Sequence, residues 1–271
     1  MTDEISILEA ANLISQAENL VAFSGSGVSA ESGIPTFRDP GGLWDRYDAD
    51  DLGGGDIFGS LLSGNIPAAA VDFISEMVKV LEKAHPNPGH LALGELEKMG
   101  ILKTVITQNI DNLHSEAGNT SVIEVHGNVY RLACLSCGAK MYLKRDELFA
   151  MGWEMVELMR NNDLPGIIQL MTRCYCGGIS RLDVVGFGEP VQDLPEAIYE
   201  SQKADVFLIL GTSGVVWPAA SLPGHAKRVD AKLIEINANE ICFPSIVDIS
   251  IMGRTGEILP EIVERVRSLR S

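Results

Sequence analysis

The chain has 271 residues, 46% of them hydrophobic, and a formal net charge of −16. That length fills one large domain, or one with a small satellite, and no run approaches the roughly 20 apolar residues that span a bilayer. The acidic balance and the lack of a Lys/Arg cluster argue against autonomous nucleic-acid binding, though basic protein segments remain compatible partners. Met1-Thr2-Asp3-Glu4 lacks the basic-then-apolar pattern of a secretion signal, so a cytoplasmic location is the expectation.

Residues 6–19 read as an amphipathic helix leading into Leu20-Val21-Ala22-Phe23, a short buried strand. Gly25, Gly27 and Ala30 then fill the small positions of G-x-G-x-x-G/A. A strand, close glycines and a helix start can cradle a pyrophosphate, because the backbone approaches the oxygens and the helix start offers free amides. A plain tight strand-to-helix turn uses the same residues. An ordinary dehydrogenase wants a second strand ending in an acidic residue about 20 residues on. Asp45 and Asp48 lie in range but sit in a turn-rich stretch without strand alternation. Phe37 and Arg38 instead place an aromatic face and a guanidinium beside the glycine loop, which suits a dinucleotide that is itself the substrate.

Ala68 to Lys83 has apolar residues at helical spacing, Pro86-Asn87-Pro88 breaks it, and His90 to Met99 forms a further helix. Ile101 to Thr107 is strand-like and runs into Gln108-Asn109-Ile110-Asp111-Asn112-Leu113-His114, where Asn109 and Asp111 can share one face. The same polar run can equally be a turn whose side chains cap its own backbone. Val122 to Gly127 is a strand that ends on His126, a residue able to accept a proton near neutral pH or simply to bond the backbone.

Cys134-Leu135-Ser136-Cys137 and Cys174-Tyr175-Cys176 form two close pairs around a helical insert near 145–161. Without a secretion signal, paired cysteines favour metal over disulfides, and four thiolates in two knuckles match a closed, tetrahedral structural zinc site. Four unligated thiols, or a redox pair, are the other readings. Cys242 is expected to be a core residue. Strands follow at Val184-Val185, Val206–Leu210 and Lys232–Ile236, the last two ending in Gly211-Thr212-Ser213 and Asn237-Ala238-Asn239. This β–α alternation predicts an α/β, Rossmann-like parallel sheet with helices on both faces and polar residues at the strand C-terminal ends. His85, His90, His114 and His225 are expected to be packing or solvated residues, and Glu31 and Asp39 solvated loop charges.

The glycine loop through Arg38, Thr107-Gln108-Asn109-Ile110-Asp111, His126-Gly127, the cysteine pairs, Phe187-Gly188-Glu189, Gly211-Thr212-Ser213 and Asn237 occur in one order. In these motifs the chain resembles a sirtuin, an NAD-dependent protein-lysine deacylase, over about residues 5–268. The resemblance implies a Rossmann-like NAD-binding domain (1–40, 85–130 and 184–271) with an inserted small domain. That insert comprises a helical module (41–84) and a zinc-ribbon module (131–183) holding one structural Zn2+ on Cys134, Cys137, Cys174 and Cys176. It also implies that NAD loses nicotinamide, that the acyl oxygen of a lysine attacks the ribose, and that O-acyl-ADP-ribose leaves.

His126 would be the base and Asn109 would order water and ribose. Gln108 would bind ribose, while Asp111 and the Ile110 backbone would hold the carboxamide. Phe37 would screen the anomeric carbon, Arg38 would contact phosphate, and Gly25, Ser26, Gly27 and Ala30 would line the diphosphate loop. Gly211, Ser213 and Asn237 would face the adenosine. An acyl-lysine peptide would add as a strand between Gly186, Phe187 and Gly188 on one side and Val215 and Val216 on the other. Two departures from the family pattern stand out. Gly186 replaces a bulky aromatic, and Ser26 replaces an alanine and could add a phosphate hydrogen bond.

Desuccinylating sirtuins carry Tyr-x-x-Arg where this chain has Ile74 and Met77. A neutral acyl group, acetyl or longer, is therefore expected over succinyl, since a buried carboxylate without a cation is costly. Protein mono-ADP-ribosyl transfer is the alternative activity, and an NAD-sensing module with little turnover a second one. The oligomeric state stays open, a monomer included.

Overall fold

The computed structural model describes residues 2–36, 42–47, 59, 64, 66–186 and 188–270. Along the chain its first elements are α1 (Thr2–Gln16), β1 (Leu20–Ser24), α2 (Gly27–Ala30), α3 (Ala68–Lys83), α4 (Pro88–Lys98), β2 (Leu102–Thr107), α5 (Leu113–Glu116) and β3 (Val122–Glu124). Next come β4 (Gly127–Cys134), β5 (Lys140–Tyr142), α6 (Arg145–Arg160), α7 (Leu164–Met171) and β6 (Ser180–Val184). The chain closes with α8 (Leu194–Lys203), β7 (Val206–Leu210), α9 (Leu222–Lys227), β8 (Lys232–Asn237), β9 (Ile249–Met252) and α10 (Thr255–Arg270). Contacts divide the chain into two compact units, one drawing on residues 1–36, 85–126 and 191–271 and the other on 37–84 and 127–190.

The first unit is built on a six-stranded parallel sheet in the order β3-β2-β1-β7-β8-β9. All five residues of β1 and of β7 are buried, which is why both strands are continuously apolar rather than alternating. Successive side chains serve opposite faces. Leu20, Ala22, Val206, Leu208, Ile234 and Ile236 pack with α1, α4 and α10 residues such as Ile14, Leu93 and Ile262. Val21, Phe23, Phe207, Ile209 and Leu233 pack with Ala197 of α8 and with Leu222 and Ala226 of α9. Helices therefore cover both faces, and the strand order reverses direction between β1 and β7. In a doubly wound sheet that reversal opens a crevice at the strand C-terminal ends.

In the second unit, α3, α6 and α7 share a core of Ala70, Val71, Met159, Ile167 and Met171. Beside these helices the unit holds an antiparallel three-stranded sheet in the order β5-β4-β6. Among the described residues no helix is long and apolar enough to cross a membrane.

Several sequence expectations shift. Val184 closes β6, which pairs antiparallel with β4, so the strand expected at Val184-Val185 does not belong to the parallel sheet. The first helix spans Thr2–Gln16 rather than 6–19. Strand β9 escapes sequence reading because it is an edge of four residues, only one of them buried. Helix α4 begins at Pro88, two residues early, because Asn87 Oδ1 accepts the backbone N–H of Gly89 (2.9 Å) and His90 (3.4 Å). Glu31 is not a solvated charge, since its carboxylate accepts the Gly256 N–H at 2.7 Å in the first turn of α10.

Candidate functional site

Two glycine turns meet where β1 and β7 end side by side. Gly25 N donates to Leu210 O (3.0 Å) and Gly27 N to Gly211 O (2.8 Å). A Cβ on Gly25 would sit 2.8 Å from Gly211 O, and one on Gly27 would sit 2.8 Å from Gly211 Cα. The close backbone approach expected toward phosphate is thus made first between two protein loops. Gly211, at φ +51°, returns the contact, because its own Cβ would lie 2.6 Å from Val28 N. After the glycines α2 lasts a single turn, with Ser26 at its cap position making no side-chain cap bond and Ala30 exposed at its end. Phe37 and Arg38 lie outside the described residues.

The polar run after β2 closes around this junction. Asn109 Nδ2 donates to Gly25 O (3.1 Å) and to Ser29 Oγ (3.0 Å). The Ser29 hydroxyl donates in turn to Asp111 Oδ2 at 2.6 Å. Asp111 Oδ1 accepts Leu113 N–H at 2.9 Å, so the carboxyl also starts the short helix α5. Burial raises the Asp111 pKa, opposed by the Ser29 hydrogen bond. Asn109 and Asp111 are buried, and Ile110 between them is half-buried. Gln108 Nε2 donates to Thr212 Oγ1 at 2.9 Å, joining the turn after β2 to the turn after β7. Asn237 Nδ2 donates to Thr212 O at 2.8 Å, which adds the end of β8. Ser213 is exposed beside it.

His126 sits two residues past β3, not on the strand as expected, and directly before Gly127. Its Nδ1 lies 3.0 Å from Gln108 O. A carbonyl only accepts, so the proton must be on Nδ1 and the lone pair on Nε2. Burial lowers the His126 pKa, against a smaller raising effect of the Gln108 hydrogen bond. The imidazole is therefore held neutral with Nε2 as its basic atom.

Three residues of this junction carry no role that the sequence alone assigns. Ser29 and Thr212 are small hydroxyl residues inside glycine-rich turns, and only their neighbours mark them. Asn87, read there as part of a helix break, is buried and donates to Val28 O (2.7 Å) and Ser32 Oγ (3.0 Å), tying α4 to the glycine loop. His90 and His114 are core histidines as expected: burial takes His90 to about 4 and His114 well below its ordinary value. His114 Nε2 lies 2.8 Å from Ser24 Oγ. Cys242, expected in the core, is only half-buried, its Sγ 3.0 Å from Thr212 O, and burial pushes its thiol up to about 12.

In the second unit the Sγ atoms of Cys134, Cys137, Cys174 and Cys176 all lie within 4.8 Å of one another. The shorter separations are 3.6 Å (Cys134–Cys176), 3.5 Å (Cys137–Cys174) and 3.4 Å (Cys174–Cys176). A tetrahedral zinc with Zn–S near 2.3 Å sets S–S edges of about 3.8 Å, so the four thiols fit a structural zinc site. The backbone N–H groups of Cys137 and Ser136 bond the Cys134 sulfur and lower that thiol, whereas the neighbouring sulfurs push Cys174 and Cys176 up, as four thiols crowded together share their protons. The one-residue spacing of the second pair works through a tight turn, with Gly177 at φ +77° donating to Cys174 O at 2.8 Å. A Cβ on the next residue, Gly178, would lie 2.9 Å from Cys134 Sγ.

The peptide-site candidates are spread over both units. Gly186 is half-buried and donates its N–H to Glu189 Oε2 at 2.8 Å, and Gly188 is exposed at φ +81°. Phe187 lies outside the described residues. In the first unit Val215 is 58% exposed and Val216 half-buried.

The strand order, the joined loops at its switch point and the thiol cluster define a dinucleotide-binding α/β protein with a structural zinc site. Residues 25–218 match the Sir2 family model, and the chain belongs to that family. The NAD-dependent protein deacylase of Desulfosudis oleivorans is 48% identical over 267 residues, covering 98% of this chain and 97% of the relative. The NAD-dependent protein deacylase of Pyrococcus furiosus is 42% identical over 264 residues, 96% of this chain and 98% of the relative. A solved Sir2 homolog–NAD complex has a TM-score of 0.77 at 36% identity, over 97% of this chain and 94% of the other.

Proposed function

We propose that this chain is an NAD-dependent protein-lysine deacylase that releases nicotinamide and O-acyl-ADP-ribose. The observation that carries the reading is the neutral His126, its Nδ1–H spent on Gln108 O and its Nε2 left basic, which ties the end of β3 to the turn after β2 that carries Gln108 and Asn109. NAD supplies the ribose that accepts the acyl group. His126 Nε2 takes the proton of a ribose hydroxyl. Asn109, fixed through Gly25 and Ser29, orders water and ribose, and Asp111 with the Ile110 backbone holds the carboxamide. Gly25, Ser26, Gly27 and Ala30 take the diphosphate together with Arg38, while Phe37 shields the reacting carbon. Gly211, Ser213 and Asn237 serve the adenosine side.

Acyl-lysine proteins are the substrates, bound as an added strand by Gly186, Phe187 and Gly188 with Val215 and Val216. The NAD-binding domain comprises 1–40, 85–130 and 184–271, and the small domain comprises 41–84 and 131–183. The enzyme works in the cytoplasm. Neutral acyl groups are preferred over succinyl. Ile74 packs into the α3–α6–α7 core and Met77 is half-buried, so neither position offers a cation to a carboxylate.

The test is a panel of acetyl-, longer acyl- and succinyl-lysine peptides, each incubated with and without NAD and read by mass spectrometry. The expected products are free lysine peptide and O-acyl-ADP-ribose, only with NAD, with succinyl the poorest substrate. NAD-independent turnover overturns the reading, and equal turnover of succinyl and acetyl overturns the acyl preference.

A further inference from the structure

Glu235 lies in the middle of β8 and is fully buried, in a strand whose other central residues are Leu233, Ile234 and Ile236. Its carboxylate accepts the backbone N–H of Cys242 at 2.6 Å on Oε1 and of Phe243 at 3.0 Å on Oε2. Oε1 also accepts Asn237 Nδ2 at 3.4 Å. A buried carboxylate is costly unless its oxygens are filled, and here backbone and amide N–H groups fill them. The contacts reach two places at once. Asn237 donates to Thr212 O as well, at 2.8 Å, so Glu235 restrains the side chain proposed to meet adenosine. Cys242 and Phe243 lie against Gly214, where a side chain would meet Phe243 Cζ at 3.0 Å and Cys242 Cβ at 3.1 Å. Gly214 opens the segment that continues through Val215 and Val216, the proposed peptide side.

We infer that Glu235 is a positioning residue shared by the two substrates: it sets the Asn237 amide for NAD and, through Cys242 and Phe243, the 214–216 segment for the acyl-lysine peptide. It touches neither substrate. The inference rests on the deacylase reading and extends it, because it names one residue through which both binding surfaces are built.

Replacing Glu235 with glutamine keeps the shape but turns one oxygen into an N–H donor facing N–H donors. Steady-state kinetics of E235Q should show KM for NAD and KM for acetyl-lysine peptide each raised about tenfold, with kcat within about twofold of wild type. ADP-ribose binding, measured by calorimetry on the zinc-loaded protein, should weaken by the same factor. A merely structural role would lower Tm and the active fraction and leave both KM values in place, and that result overturns the inference. So does a rise in only one KM. Should E235Q not fold, Phe243→Ala keeps Glu235 and Asn237 and removes the ring beside Gly214. It should raise the peptide KM alone, and an unchanged peptide KM overturns the inference. Wild-type protein that binds ADP-ribose but does not deacylate overturns the deacylase reading, leaving the calorimetric comparison to decide on Glu235. Wild-type protein that binds neither substrate overturns both.

Discussion

The Ser29 hydroxyl accepts from Asn109 and donates to Asp111 at 2.6 Å, so one serine fixes the direction of a buried chain of three side chains. Asn109 spends its other contact on Gly25 O, and Asp111 spends its second oxygen on Leu113 N–H. The glycine loop and the turn after β2 are thereby held as one piece, and neither can move without breaking a buried hydrogen bond.

That chain makes Asp111→Asn a two-part prediction. An amide offers one acceptor where the carboxylate offers two, so either Ser29 or Leu113 loses its partner. kcat/KM for NAD should fall about tenfold or more. The pH dependence of stability has the opposite sense. Burial raises the folded pKa of Asp111 above its ordinary 3.8, so the folded state holds that proton more tightly than the unfolded one. Its contribution is full below pH 3.8 and is lost as pH rises through the raised folded value. Wild-type stability relative to the variant should therefore decline across that window and level off above it. Thermal melts of both proteins across this range check it, and an advantage of wild type that grows with pH contradicts it.

Much of this was legible in the sequence. Leu20–Phe23 and Val206–Leu210 are apolar enough to be recognised as doubly covered strands, and the glycines and polar residues following them mark the ligand edge. Hidden were the relations between distant turns. Nothing near Gly27 reveals that it must clear Gly211, and Glu235 looks like a strand surface charge until the 242–243 backbone folds onto it. Val184 was misassigned because a short apolar pair reads alike in parallel and antiparallel sheets, and only its partner β4 separates them.

For His126 the expected outcome is a displaced acid limb. Burial lowers its pKa, so the neutral base persists to more acid pH than a free imidazole. The profile of kcat/KM against pH for deacylation should fall with a midpoint below 6.5 on the acid side. The same sign governs stability. The unfolded state binds this proton more tightly, so the stability from neutral His126 is full above pH 6.5 and erodes as pH drops toward the folded value. His126→Ala should cut deacylation by about 10²- to 10⁴-fold with zinc content unchanged. Rates measured by mass spectrometry and zinc by elemental analysis check both parts.

Zinc should be stoichiometric and structural. The purified chain should carry one zinc, and Cys176→Ser should leave a three-thiol site of lower affinity. Chelation should melt the β5-β4-β6 sheet first, because β4 ends on Cys134 and the positive-φ turns at Gly138 and Gly177 directly follow the two cysteine pairs. Hydrogen exchange before and after chelation reads this directly. Protection lost in residues 127–142 and 174–184 ahead of 20–24 and 206–210 is the expected pattern, and uniform loss contradicts it.

Gly27→Ala tests whether the loop junction itself is the source of NAD affinity. The added methyl would lie 2.8 Å from both Gly211 Cα and Gly211 O, and both are backbone atoms that cannot rotate away. Either the glycine loop or the turn after β7 must shift, at a cost of about 1–3 kcal/mol. The displacement falls between the loop proposed to take the diphosphate and the residues proposed to face adenosine, so KM for NAD should rise about tenfold or more, while the zinc site in the other unit is untouched. Gly33→Ala is the control, since nothing lies within 4 Å of a Cβ there and its φ of +85° strains the backbone without crowding another loop. Gly33→Ala should lower Tm while leaving KM for NAD near wild type, whereas Gly27→Ala should move both. Equal effects of the two substitutions on KM would mean that backbone strain, and not the approach of Gly27 to Gly211, governs the pocket.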